Sequence, residues 1–223
     1  MTKITAKLIG LTQPLIELRV PDAEGLVAFC ARVSNPSRQD KELGSLLNYC
    51  IRNKHWSVFE MANAVVEVEA PRDITRQLLR HRSFSFQEFS QRYSDEVDFT
   101  DREFRKQDDK NRQNSTNDLP KDVLDLCENM TEDVLNLVRE VYSRMRAKDK
   151  DVAKECARVI LPEGLTMSRL YVNGTLRSWL HYLDVRDDPG VTQWEHVVLA
   201  RKIKEVLEPA FPTVFGAVNA AES

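Results

Sequence analysis

Between Arg80 and Tyr93 the chain reads Arg-His-Arg-Ser-Phe-Ser-Phe-Gln-Glu-Phe-Ser-Gln-Arg-Tyr, which sets three arginines, a histidine, a glutamate and three serines among phenylalanines. A guanidinium offers a planar fork of donors that matches phosphate and carboxylate oxygens in pairs, and it stays charged when partly buried. Such a run has two readings: a solvated salt-bridge face, or a cleft that holds an anion. The residues before it favour the cleft. Pro71 suits a first helical turn, Asp73 suits the positive end of a helix dipole, and Ile74, Leu78 and Leu79 supply an apolar side. Arg72, Arg76 and Arg80 recur at i, i+4 and i+8, which predicts one basic stripe on that helix. The serine–phenylalanine alternation after Arg82 predicts an extended exit. A helix end feeding an extended segment would aim Arg80, His81 and Arg82 into one site.

The rest of the chain narrows the chemistry. Its glycines (Gly10, Gly25, Gly44, Gly164, Gly174, Gly190 and Gly216) are far apart, so no glycine-rich loop cradles phosphate through backbone N–H groups. Phosphate must then be held by side chains, which accounts for the demand for arginine. No histidine or cysteine pair has metal-ligand spacing, and Ser90 has no evident histidine–aspartate relay. Cys30, Cys50, Cys127 and Cys156 are scattered, as expected of a reducing compartment. A formal net charge of -3 on 223 residues argues against a general nucleic-acid binder and makes the arginine cluster a local device for a small anion. The start Met-Thr-Lys-Ile-Thr-Ala-Lys carries no apolar leader, and no run is long enough for a membrane span, so the expected location is cytoplasmic.

The elements that must position these residues follow from periodicity. Asn63 to Ala70 alternates apolar with polar and is the clearest strand; Lys7–Ile9 and Leu15–Val20 are weaker strand candidates. Asp22 caps a helix expected to reach about Val33, and Leu43, Leu46, Leu47 and Cys50 mark one side of a second. Residues 101–118 are almost wholly polar and read as a mobile loop or insertion with no chemistry assigned. Leu119 to Met145 is a long helix whose Val123, Cys127, Met130, Val134, Leu137 and Val141 step by three and four, a stripe suited to packing within the chain or between subunits. Further helices are expected at Asp151–Leu161, Leu176–Leu183 and from Gln193-Trp194-Glu195 onward, where Leu199, Ile203, Val206 and Leu207 form the buried face. This predicts an α/β (α+β) fold in one domain over residues 1–223, with a small, mainly antiparallel sheet packed by long helices.

Arg80-His81-Arg82, seven residues, then Ser90-Gln91-Arg92 resembles the signature of the flavin-dependent thymidylate synthases. Four further blocks are similar to that family in the same order: Ala31–Ser34, Lys54–Glu60, Ala157–Pro162 around Arg158, and Arg177–Glu195. There are departures. Val58 replaces the usual proline and Met61 a common histidine, while Thr175-Leu176-Arg177 stands where many members have asparagine-alanine-arginine, so a flavin contact from Thr175 is not carried over.

The resemblance implies reductive methylation of dUMP to dTMP, with methylenetetrahydrofolate giving the carbon, NADPH reducing FAD, and the reduced flavin giving the hydride. It places His55, Ser57, Arg80, His81, Arg82, Glu88, Arg177 and His181 against FAD. Gln77, Arg80, Glu88, Ser90, Arg92, Arg158 and Arg186 would hold the nucleotide, with Arg186 the catalytic cation at the pyrimidine edge. It also implies a homotetramer with sites built from several subunits, with neither nucleic acid nor membrane as partner. The rival readings are a flavin–folate methylase of uracil in RNA and a non-catalytic nucleotide-binding module; the acidic net charge counts against both.

Overall fold

The computed structural model describes residues 2–39 and 44–216. In chain order the regular elements are β1 (Thr5–Leu11), α1 (Ala23–Ala31), α2 (Gly44–Arg52), β2 (Asn63–Pro71), α3 (Arg72–Leu78), β3 (Ser85–Glu88), β4 (Lys106–Gln107), β5 (Ser115–Thr116), α4 (Lys121–Arg146), α5 (Lys154–Ala157), β6 (Met167–Thr175), α6 (Leu176–Arg186), α7 (Trp194–Leu207) and α8 (Pro212–Gly216). Four of the strands form one antiparallel sheet in the order β1-β2-β6-β3. The mixed α/β class and the antiparallel sheet are as the periodicity predicts.

The sheet has one dry and one wet face because its strands alternate. Ala64, Val66, Val68 and Ala70 of β2 and Leu170 and Val172 of β6 are fully buried. Their neighbours Glu67, Glu69, Arg169, Tyr171 and Asn173 point the other way, where Arg169 Nε donates to Glu69 Oε1 at 2.8 Å. The helix α7 runs along β1 and β2 and buries Leu199, Ile203 and Leu207, and α6 adds Trp179, whose indole N–H donates to the Ala64 carbonyl at 3.2 Å. Each fully buried side chain of this size contributes about 1.5–3 kcal/mol, so this layer fixes the angle at which α6 leaves the sheet.

Asp22 caps α1 as expected, its carboxylate accepting from the Gly25 N–H at 2.7 Å, although the helix ends at Ala31 rather than Val33. Leu43 of the second predicted helix lies outside the described residues. Leu15–Val20 is not a strand. It contains a short 3-10 turn at Ile16–Leu18 with Ile16 93% exposed, since no neighbouring strand offers it an edge. The predicted helix at Asp151–Leu161 shrinks to the single turn α5 and a 3-10 turn at Arg158–Ile160.

The arginine helix α3 stops at Leu78, so Arg80 leaves the stripe that Arg72 and Arg76 begin. The polar segment 101–118 is not a bare loop either. It carries the β4–β5 hairpin and sends Arg102 and Arg105 inward. The long helix α4 packs chiefly on α5 and the Arg158–Ile160 turn, with Leu135 and Tyr142 buried. Its predicted stripe faces outward, with Met130 58% and Leu137 60% exposed.

Candidate active site

Three junctions between helices and strands deliver the candidate residues, the first at one end of the sheet and the other two at the opposite end. The first is β2–α3, where Pro71 ends the strand and its fixed φ opens the helix. The second is the turn between α3 and β3, and the third is β6–α6, where the Thr175 hydroxyl accepts from the Ser178 N–H at 3.2 Å. Capping α6 is thus the visible role of Thr175.

The turn after α3 is held from below by Phe84. Its N–H donates to the His81 carbonyl at 3.2 Å, and its ring lies 4.4 Å from Trp179 and 5.9 Å from Tyr182. Gly174 makes room for it: a Cβ there would come within 2.3 Å of two Phe84 ring carbons. With Phe84 pinned, Arg80 and Arg82 remain exposed and form no ion pair among the described residues. His81 turns inward instead.

His81 meets the end of α6. Arg186 Nε–H donates to His81 Nε2 at 2.9 Å, which makes that ring nitrogen an acceptor and puts the ring proton on Nδ1. The His81 ring stands edge-on to Tyr182 at 5.1 Å. Burial, followed by the Arg186 charge and His181, pushes the His81 pKa down to about 4, so the imidazole is neutral at physiological pH. Burial likewise raises the phenol pKa of Tyr182 far above its usual range. His181, one turn before Val185 on the exposed side of α6, is close enough to act on His81 electrostatically.

A second group gathers around Arg72. Burial lowers its pKa, Glu88 opposes that shift, and Arg76 and Arg158 add to it, so all four lie within electrostatic reach. Arg72 Nη1 donates to the buried Gln91 at 3.2 Å, and Ser168 Oγ donates to Glu88 Oε1 at 2.9 Å. Ser90 begins the tight turn that follows; its hydroxyl accepts from the Arg92 N–H at 3.3 Å. Arg92 itself is exposed and pairs with Glu155 at 3.4 Å, while Arg76 pairs with Glu163.

A third group lies at the first turn of α6. Arg177 pairs with Glu60, on the 3-10 turn Trp56–Met61 that also carries exposed Ser57. His55 precedes that turn and rests edge-on against Tyr49 at 5.7 Å. Lys54, at φ 57, reverses the chain there in the left-handed region.

The sequence reading assigns no site role to Arg102, Arg105, Glu195 or His196. Arg105 Nη2 donates to Glu195 Oε1 at 2.8 Å, Arg102 pairs with Asp73 and lies 3.9 Å from Glu195, and the three side chains are at most 16% exposed. Burial alone would raise the Glu195 pKa, but the two arginines and the backbone outweigh it and hold the group ionised. Together with Gln193, Trp194 and the hairpin, Arg102, Arg105 and Glu195 line a concavity of about 270 Å³. The one available signal was two arginines three apart in a stretch whose only apolar residue is Phe104.

Residues 15–213 match the family model described as "Thymidylate synthase complementing protein". The chain is 44% identical over 219 residues to the probable flavin-dependent thymidylate synthase of Paramecium bursaria Chlorella virus 1, covering 97% of this chain and 99% of that one. It is 43% identical over 215 residues to the flavin-dependent thymidylate synthase of Synechocystis sp., covering 96% and 98%. Among solved structures it superimposes on the UMP/dUMP methylase PolB of Streptomyces cacaoi bound with 5-Br dUMP, at a TM-score of 0.80 and 25% identity, over 99% of this chain and 96% of that chain.

Proposed function

The chain belongs to the flavin-dependent thymidylate synthase family, an enzyme family of flavoprotein methyltransferases, and we propose that it methylates dUMP to dTMP in the cytoplasm with FAD, NADPH and methylenetetrahydrofolate. The observation that carries the reading is the 2.9 Å hydrogen bond from Arg186 to His81, because it joins two sequence blocks about a hundred residues apart at one point.

The donor set suits a flavin dinucleotide. Exposed Arg80 and Arg82, with no ion-pair partner among the described residues, supply fixed positive charge for its phosphates, and the chain has no glycine-rich loop to do so. His55, Ser57, His81, Glu88, Arg177 and His181 would complete its contacts. When bound, FAD supplies the hydride that NADPH delivers, and the folate supplies the carbon.

The residues around Arg72 provide the nucleotide contacts. Arg80, Ser90, Arg92 and Arg158 hold the phosphate of dUMP, and Gln77 and Glu88 bind the rest of the nucleotide. Methylation at C5 drives negative charge onto the pyrimidine N3 and its carbonyl oxygens. Arg186 stabilises that charge as it develops, an effect of the kind that contributes about 3–4 kcal/mol in other electrostatic holes. Its Nε is already used by neutral His81, so its terminal nitrogens are the donors left for the base.

We also propose that the protein works as a homotetramer, supported by the exposed apolar stripe of α4. Purified protein should be yellow, should bleach when NADPH is added without oxygen, and should convert dUMP to dTMP when the folate is supplied. Parallel assays with UMP and with uracil in RNA separate the alternatives. A colourless protein that binds many RNAs with steep salt dependence would overturn the reading.

A further inference from the structure

Behind Gln77 runs a chain of buried and part-buried polar groups in which each hydrogen bond dictates the polarity of the next. It starts at the Glu195 carboxylate, which is 3% exposed and can only accept. Gln193 therefore turns its amide nitrogen toward Glu195 Oε2, at 3.1 Å, and its oxygen toward Gln77. Gln77 must in turn donate, Nε2 to Gln193 Oε1 at 2.7 Å, which leaves its oxygen facing His196 Nδ1 at 3.2 Å. An acceptor there requires the His196 proton on Nδ1. The bare Nε2 then accepts from the Tyr182 hydroxyl, 3.2 Å away.

We propose that His196 is a positioning residue for the nucleotide site: through this one-way chain from Tyr182 to Glu195 it fixes the amide of Gln77, so that Gln77 offers its remaining N–H to an acceptor oxygen of the nucleotide. The inference rests on Gln77 being a nucleotide contact, as proposed above. His196 is fully buried, so an uncharged ring with both nitrogens satisfied is the state its surroundings allow. Burial, then Arg186 and His81, lowers its pKa to about 3, in agreement with that state. An amide without this constraint could present either its oxygen or its nitrogen to the ligand; the His196 N–H on its oxygen, together with the Glu195 charge relayed through Gln193, removes the choice.

The test has a spectroscopic arm and a kinetic arm. In enzyme labelled with ¹⁵N-histidine, the His196 resonance at neutral pH should show a neutral ring protonated on Nδ1. A ring protonated on Nε2, or an imidazolium, would overturn the proposal whatever the variants do. In FAD-loaded enzyme, His196→Phe keeps the ring volume and removes both hydrogen bonds. It should raise the KM and calorimetric Kd for dUMP about tenfold with kcat little changed, because the contact is present in ground and transition states alike. His196→Asn, whose amide can donate from near the Nδ1 position, should recover most of that affinity. Equal dUMP affinity in wild type and His196→Phe, or equal losses in the two variants, would sink the idea. If His196→Phe does not fold, the tautomer and the His196→Asn affinity still decide. Wild-type enzyme that neither binds dUMP nor makes dTMP would instead remove the proposed function, and the tautomer result would stand apart from it.

Discussion

Arg186 and His81, one at the end of a helix and the other in the turn leaving another, share a 2.9 Å hydrogen bond in which the guanidinium donates and the imidazole accepts. The contact ties a cation to a ring that its own charge helps to keep neutral. Removing the cation should therefore change both. In Arg186→Ala the fold and FAD content should persist while dTMP formation drops by about 100-fold or more, as when one donor of an electrostatic hole is lost. The His81 pKa, followed by NMR, should rise above its value of about 4. Near-normal turnover would mean that Arg186 does not act on the pyrimidine.

Stability should fall on mild acidification. His81 and His196 titrate at about 4 and about 3 in the folded chain, against about 6.5 when unfolded. The folded values are the lower ones, so the unfolded state takes up more protons as pH drops. This contribution is fully present above about 6.5 and is lost progressively as pH falls toward the folded values. His196 sets a slope of up to about 1.4 kcal/mol per pH unit, and the less deeply buried His81 adds less. Urea unfolding at about pH 7 and about pH 5.5 lies above the window in which carboxylates such as Glu195 contribute. His196→Asn should flatten the difference between the two; an unchanged slope would show that this histidine is not held neutral by the fold.

Gly174→Ala should destabilise the protein by about 1–3 kcal/mol, because its Cβ would drive into the Phe84 ring. The displaced ring carries the Arg80–Arg82 turn with it, so dUMP affinity should fall too. Adding Phe84→Leu should return part of the stability, and a double-mutant cycle in urea measures how much. Simple additivity of the two changes would contradict the packing described.

The outward stripe of α4 gives a test of assembly away from the chemistry. Leu137→Asp should leave the secondary structure intact and yield a smaller particle in sedimentation, with lower dTMP synthesis if sites are shared between subunits. A wild-type particle that sediments as an active monomer would remove the tetramer from the proposal.

What could be read from the sequence was whatever depends on near neighbours. The strand Asn63–Pro71 is visible because one face is dry and the other wet, so every second residue reports its surroundings. The cap Asp22 and the junction Pro71–Arg72 act within a turn of their own positions. The stripe of α4 was equally plain, but its outward direction depends on what packs beside it. Leu15–Val20 had strand composition and no strand beside it, and nothing local reports that lack. Arg80 continued a helical spacing, but α3 ends at Leu78 and the turn that follows is seated by Phe84 against the distant Gly174. Arg105 pairs with a carboxylate ninety positions away, and His196 meets Gln77 from 119 positions away, so both were illegible until the chain was folded.

For anyone trimming this protein, the hairpin segment invites a mistake. Its composition is that of a disposable linker, yet excising it would strip Glu195 of both its counter-cations, Arg102 and Arg105. The usable insertion point is narrower than the polar stretch. Asn111 is tied to the Gly190 carbonyl at 2.8 Å, and Arg105 is braced by Ser115 at 2.9 Å. Exposed Asp109 and Lys110 sit between those anchors, and there a tag or a longer tip could be spliced with the buried arginines left in place.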